Sequence, residues 1–249
     1  MLAERFSRAA ALWTALLPPP PPMIDGWSAT ISRHPSLRKL VYRRGSRRMK
    51  RIALTFDDGP SAEFTPEVLE ILERYEARAT FFLLGRNVEL FPDLARRIVS
   101  KGHAIGNHSQ SHPNLKKLRP EQVREEISTA QAVISSATGV RPTLFRAPFG
   151  GLNRTVVNES GAAGCAVIQW SLSPRDWATP TDRRIARRVV SRAKNGAIVL
   201  LHDAGSRSTF EDRANTVRAL PSIIKSLRAQ GFAFVTVPEL LTCDQRTVV

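Results

Sequence analysis

From Lys50 onward the chain alternates short apolar runs with longer amphipathic stretches, and this alternation limits the fold more than any other feature. Runs at 52–56, 79–84, 103–107, 143–146, 166–170, 197–201 and 232–237 read as strands. The run at 197–201 is apolar at every position, as a strand covered on both faces must be. Helices are expected between them. The first has Thr65 as its cap and Pro66 at its first position. Others span 92–101 closed by Gly102, 120–137 ending at Gly139, a stretch from near Asn153, 182–194, and 214–230 with a kink or restart at Pro221. Strand–helix alternation of this kind predicts an α/β fold with a parallel sheet or barrel. No linker divides it, and 249 residues suit a single domain of barrel size.

Residues 1–49 stand apart from this pattern, and 243–249 form a short tail after the expected domain at 50–242. Arg5 and Arg8 precede an apolar run at 9–17 that is too short to span a membrane. Five prolines, 18–22, occupy the place where small residues would mark signal cleavage. The expectation is therefore a cytoplasmic protein, with export through a weak signal as the alternative. Residues before Met49 are expected to be poorly ordered and dispensable for the fold. The two cysteines, Cys165 and Cys243, give neither a disulfide framework nor a metal spacing.

The formal charge is +15 and unevenly placed. Between Arg33 and Arg51 there is no acid, and a second basic series runs from Arg183 to Lys194. Such surfaces attract polyanions or membrane phosphates nonspecifically, but no nucleic-acid motif accompanies them.

The residues that could do chemistry fall at the expected strand ends. The 52–56 run stops at Asp57-Asp58-Gly59-Pro60. Adjacent side chains leaving a strand point to opposite sides, so the two carboxylates need not share a task. Placed at the mouth of a barrel they repel each other unless a proton or cation relieves them. After the third run comes His108-Ser109-Gln110-Ser111-His112, whose spacing would put both imidazoles on one side of a helical turn. Two histidines and a carboxylate leave a coordination position open, as catalytic zinc sites do. Further clusters are Arg146-Ala147-Pro148-Phe149-Gly150, then Trp170 and Asp176-Trp177, then Leu200-Leu201-His202-Asp203. In barrels of this type active sites form at the carboxyl ends of the strands.

Taken in order, these motifs resemble the polysaccharide deacetylases with a NodB homology domain, carbohydrate esterase family four. The resemblance runs from about Lys50 to Pro238, and the segments 170–177 and 198–203 are most similar to rhizobial chitooligosaccharide deacetylases. It implies a distorted (β/α)7 barrel and one divalent metal, usually zinc, with cobalt, nickel, iron or manganese as alternatives. It implies Asp58, His108 and His112 as metal ligands, Asp57 as general base and His202 as general acid. It further implies that Arg146 holds Asp57, that Asp176 orients His202, and that Trp177 and Leu200 wall an acetyl pocket. Phe149 stands where the family often has Tyr, and its backbone N–H is the expected oxyanion donor; Ser173 stands where the family often has Asp.

The chemistry suits the residue types. An acetamide is a poor electrophile with a poor leaving group, so its hydrolysis calls for a Lewis acid, a base and an acid with separated pKa values. The expected function is removal of N-acetyl groups from N-acetylglucosamine residues of a chitin-like oligosaccharide or polysaccharide. Alternatives are an O-acetyl ester or other amide hydrolase, or a catalytically dead basic glycan- or nucleic-acid-binding protein.

Overall fold

Arg51–Asp57 (β2) is the central strand of a computed structural model that describes residues 41–178, 180–206 and 212–242. Six of its seven residues are buried, because neighbouring strands flank it and helices cover it. On one side lie Ala79–Leu83 (β3), Ala104–Asn107 (β4), Leu144–Phe145 (β5), Ala166–Ile168 (β6) and Val41–Tyr42 (β1), in that spatial order. On the other lies Ala197–His202 (β7), and Ala233–Phe234 (β8) joins the start of β2. Every ladder is parallel. The sheet curls until its ends meet through an antiparallel bridge, Arg44 to Ala197, and a parallel one, Leu172 to Val199. This is the distorted barrel of parallel strands.

The helices are Phe64–Arg74 (α1), Gly85–Leu90 (α2), Pro92–Ser100 (α3), Pro120–Thr138 (α4), Arg154–Ala162 (α5), Asp182–Val190 (α6), Ala214–Ala229 (α7) and Val237–Thr242 (α8). Val68, Leu69 and Leu72 of α1 and Leu220, Ile223, Ile224 and Leu227 of α7 bury against the outer face of the sheet, in one cluster with Leu54, Phe56 and Phe81. A second, smaller cluster fills the barrel interior with Ala53, Phe82, Leu144, Ile168 and Ile198.

Register positions the chemistry. Asp57 pairs with His202 across β2 and β7, and with Phe82 across β2 and β3. Asn107 pairs with Phe145, which sets His108 beside Arg146 one residue on. Asp57, His202, His108 and Arg146 thus reach the same carboxyl rim.

Several local expectations give way. The sheet begins at Val41, ahead of the expected start at Lys50, because Val41 and Tyr42 pair with Val167 and Ile168. Residues 1–40 and the tail 243–249 lie outside the described residues. Thr65 is inside α1 and does not cap it; Ser61 Oγ accepts the Phe64 and Thr65 N–H groups. Pro221 lies inside a continuous α7. The last strand ends at Phe234, since Thr236 and Glu239 form reciprocal hydrogen bonds that open α8. That Thr-x-x-Glu signal was present in the sequence.

Candidate metal and acid–base site

Asp58, His108 and His112 each offer a ligand atom, and these atoms lie within 4.8 Å of one another. The two histidines do not sit on a helical turn. They belong to a loop in which Ser109 (φ 75°) and His112 (φ 63°) both take left-handed backbone. Asn107 Oδ1 accepts the Ser109 N–H, and Ser109 Oγ accepts the His112 N–H, so side chains supply the partners a helix would have given. Asn107 is itself anchored through Nδ2 to the Ile127 carbonyl. Glu126 of α4 accepts the N–H groups of Gln110 and Ser111 and the Ser111 hydroxyl. Asp58 is also left-handed (φ 74°), and Asn87 Nδ2 donates to its carbonyl. Among the described residues six non-glycine positions have positive φ, and Asp58, Ser109, His112, Phe149 and Arg175 cluster in these rim loops. Such backbone costs about 1–3 kcal/mol per residue and persists where the surroundings over-determine it.

The fit to a cation rests on three observations. Asp58 Oδ1 is buried without a hydrogen-bond partner. His108 Nε2 and His112 Nε2 lie 3.4 and 3.3 Å from it. His108 Nδ1 lies 2.7 Å from the Arg146 carbonyl, so it carries the proton and Nε2 presents a lone pair toward Asp58. Two lone pairs facing across that gap are stable only around a shared positive charge. Tetrahedral coordination at about 2.0–2.1 Å separates neighbouring ligand atoms by about 3.3 Å. Burial holds the His112 imidazole at about 4, so it is neutral at pH 7. Burial pushes the Asp58 carboxyl up, but His108, His202 and His112 outweigh it and leave it ionised, at about 2.

Asp57 faces a different environment. Arg146, the largest fully buried side chain, donates from Nη1 to Asp57 Oδ1 at 2.6 Å and to Thr55 Oγ1 at 2.8 Å. Its Nε and Nη2 reach the Ile168 and Gln169 carbonyls, and Cζ lies 3.9 Å over the Phe82 ring. Burial lowers the guanidinium pKa, and the Asp57 charge counters it. Thr55, which the motif reading passed over, donates its own hydroxyl hydrogen bond to the Val199 carbonyl and so ties the pair to β7.

His202 is held twice by one carboxylate. Asp176 Oδ1 meets its Nδ1 at 3.0 Å, and Oδ2 accepts its backbone N–H at 2.8 Å. Thr216 Oγ1 donates to the same Oδ2. The ring therefore keeps Nδ1 on Asp176 and turns Nε2 away from it. Burial would lower this imidazole, but the Asp176 carboxylate, then Asp58 and Asp57, raise it to about 9.

Around this centre, Phe149 and Trp177 are 68% and 52% exposed, the only aromatic side chains so open among the described residues. The Phe149 ring meets His112 edge-on at 4.6 Å. Leu200 is buried two residues before His202, so both side chains share one face of β7. Asp203 lies behind the acidic turn: Thr65 Oγ1 donates to it, and its oxygens would stand 2.5–2.6 Å from any Cβ at position 59. Glycine is required there. Burial raises the Asp203 carboxyl to about 7. Cys165 is buried and its thiol is pushed up to about 12, which removes it as a nucleophile.

Fold and site together define a barrel hydrolase built around a His–His–Asp cation centre with a carboxylate and an imidazole beside it. The family model for polysaccharide deacetylase matches residues 44–168. A chitooligosaccharide deacetylase of Bradyrhizobium sp. (strain ANU 289) is 41% identical over 196 residues, covering 76% of this chain and 90% of that one. A peptidoglycan-N-acetylglucosamine deacetylase of Bacillus cereus is 42% identical over 194 residues, covering 77% and 88%. A crystal structure of a peptidoglycan N-acetylglucosamine deacetylase in complex with 4-naphthalen-1-yl-N-oxidanyl-benzamide superposes with a TM-score of 0.79 at 33% identity, over 83% of this chain and 95% of that one. The chain belongs to the polysaccharide deacetylase family.

Proposed function

We propose that the protein hydrolyses the N-acetyl groups of N-acetylglucosamine residues in a chitin-like oligosaccharide or polysaccharide. The observation that carries this is the Asp58–His108–His112 centre with Asp57 and His202 paired across adjacent strands at its edge. Those three residues would hold a divalent cation, and two imidazoles with one carboxylate favour zinc. Such a cation supplies Lewis acidity, polarising the amide carbonyl and easing deprotonation of a water.

The chain's own residues divide the remaining work. Asp57, kept in place by Arg146, accepts the proton of the attacking water. His202, protonated at neutral pH through Asp176, delivers a proton to the departing amine as the carbon–nitrogen bond breaks. In this reading Leu200 and Trp177 wall the space for the acetyl methyl, and the Phe149 N–H is the donor to the developing oxyanion. The exposed rings of Phe149 and Trp177 suit the apolar faces of sugars. The site of action is proposed to be cytoplasmic, on soluble oligosaccharide, to be checked by fractionation.

The test is mass spectrometry of products from defined N-acetylglucosamine oligomers, with and without chelator. A mass decrease matching replacement of one acetyl group by hydrogen per deacetylated residue, abolished by chelator and restored by zinc, is expected. Acetate release confined to acetylated xylan would replace the amide reading with an ester one.

A further inference from the structure

At the barrel end opposite the catalytic rim there is a cavity of about 540 Å³. Ala197, the first residue of β7, is on its wall, whereas His202, the last, is at the rim. Arg44, Arg47, Arg192 and Lys194 line it, all four exposed, and no acidic residue among the described residues does. None of these cations has a carboxylate within ion-pairing distance among the described residues. The neutral lining is also rich in polar donors, with Ser171, Ser173, Ser191 and Asn195. We infer that this cavity binds a phosphate-bearing ligand.

The walls are built rather than incidental. Gly45 N–H donates to the Gly196 carbonyl at 2.8 Å, Gly196 N–H to the Arg51 carbonyl at 2.9 Å, and Asn195 Nδ2 to the Arg47 carbonyl at 2.9 Å. At Gly196 (φ 75°) a Cβ would lie 2.4 Å from the Gly45 and Ser46 carbonyl oxygens, so the two turns are in direct backbone contact. Arg44 and Arg192, which come from segments almost 150 residues apart, are thus carried on one rigid seam. Holding like charges together there costs energy that an anion would recover. Three guanidinium forks, one ammonium and several hydroxyls match the tetrahedral oxygens of a phosphate better than the planar pair of a carboxylate.

The test is calorimetric titration of the metal-loaded full chain with inorganic phosphate at low ionic strength. Arg44→Gln combined with Arg192→Gln is compared with Arg218→Gln combined with Lys225→Gln, which removes the same charge from α7. One saturable site is expected, weakened at least tenfold by the cavity pair and less than twofold by the α7 pair, with both variants melting as the parent does. Co-sedimentation with phosphatidylglycerol vesicles, lost in the cavity pair, would identify a lipid headgroup as the source. Phosphate binding without vesicle binding would identify a soluble phosphate ester. Absence of a saturable site, equal weakening by both pairs, or binding that survives the cavity pair would overturn the inference.

Discussion

At the scale of single residues, two neighbouring carboxylates are given different duties by what touches them. Asp58 faces imidazoles and Asp57 faces a guanidinium. Asp57→Asn should keep its metal and lose roughly two or more orders of magnitude in turnover, as base removal does. Metal analysis beside acetate-release kinetics would check this, and near-parental turnover would remove the assignment. His202 gives a pH prediction with a definite sign. It must be protonated to act as the acid, and with its pKa raised to about 9 it is so throughout the neutral range. Loss of that proton should therefore set the alkaline limb of the activity profile, near pH 9. Asp176→Asn removes the largest influence that raises this imidazole, so the alkaline limb of kcat/KM should move to lower pH. An unmoved limb would show that another group sets it. Arg146 is a stability matter as well, because it is fully buried beside a buried Asp57. Arg146→Met leaves that carboxylate unpaired and should cost about 3–5 kcal/mol in urea denaturation.

Elements decide how those residues meet, and here the sequence was legible in part. Types and spacing revealed the two imidazoles and two carboxylates, since few other patterns bring them to successive strand ends. The loop that presents the histidines was not legible, because its hydrogen-bond partners come from elsewhere in the chain. Glu126 follows Ser111 by fifteen residues and lies on a helix whose pattern marks it only as a surface acid. Thr55 and Thr216 were equally hidden: a threonine in an apolar strand or a helix has no sign that it bonds a guanidinium or a carboxylate. Thr65 failed as a cap for the same reason, its hydroxyl being drawn to Asp203 across a long loop closure. The structural role of Glu126 can be tested through the metal. Glu126→Gln keeps the size but replaces a charged acceptor of three hydrogen bonds, so His112 is held less firmly. Metal affinity should weaken about 10–100-fold, read by competition with a chelator, while Asp57 and His202 are untouched. Unchanged affinity would show that the loop holds its shape without α4.

The whole molecule closes through its first strand, which the hydrophobic pattern placed outside the domain. Val41 and Tyr42 are too short a run to stand out beside the basic stretch around them. Yet Tyr42 accepts the Gln169 N–H at 2.8 Å, Val41 is buried with Val157 and Val167, and Gly45 crosses the seam to Gly196. A parallel strand gains almost nothing locally; its stability comes from neighbours that the sequence places more than a hundred residues away. The expectation that everything before Met49 is dispensable can therefore be set against a sharper one. A chain beginning at Met49 uncovers β6 and loses the Arg44–Ala197 bridge, and burial of a single valine is worth about 1.5–3 kcal/mol. It should unfold at distinctly lower urea than the full chain and associate through the exposed edge of β6. A chain beginning at Leu40 keeps every one of those contacts and should unfold with the full chain. If the two shortened chains melt together at the parental midpoint, β1 is an ornament on a barrel that closes without it; if only the shorter fails, the seam is part of the fold.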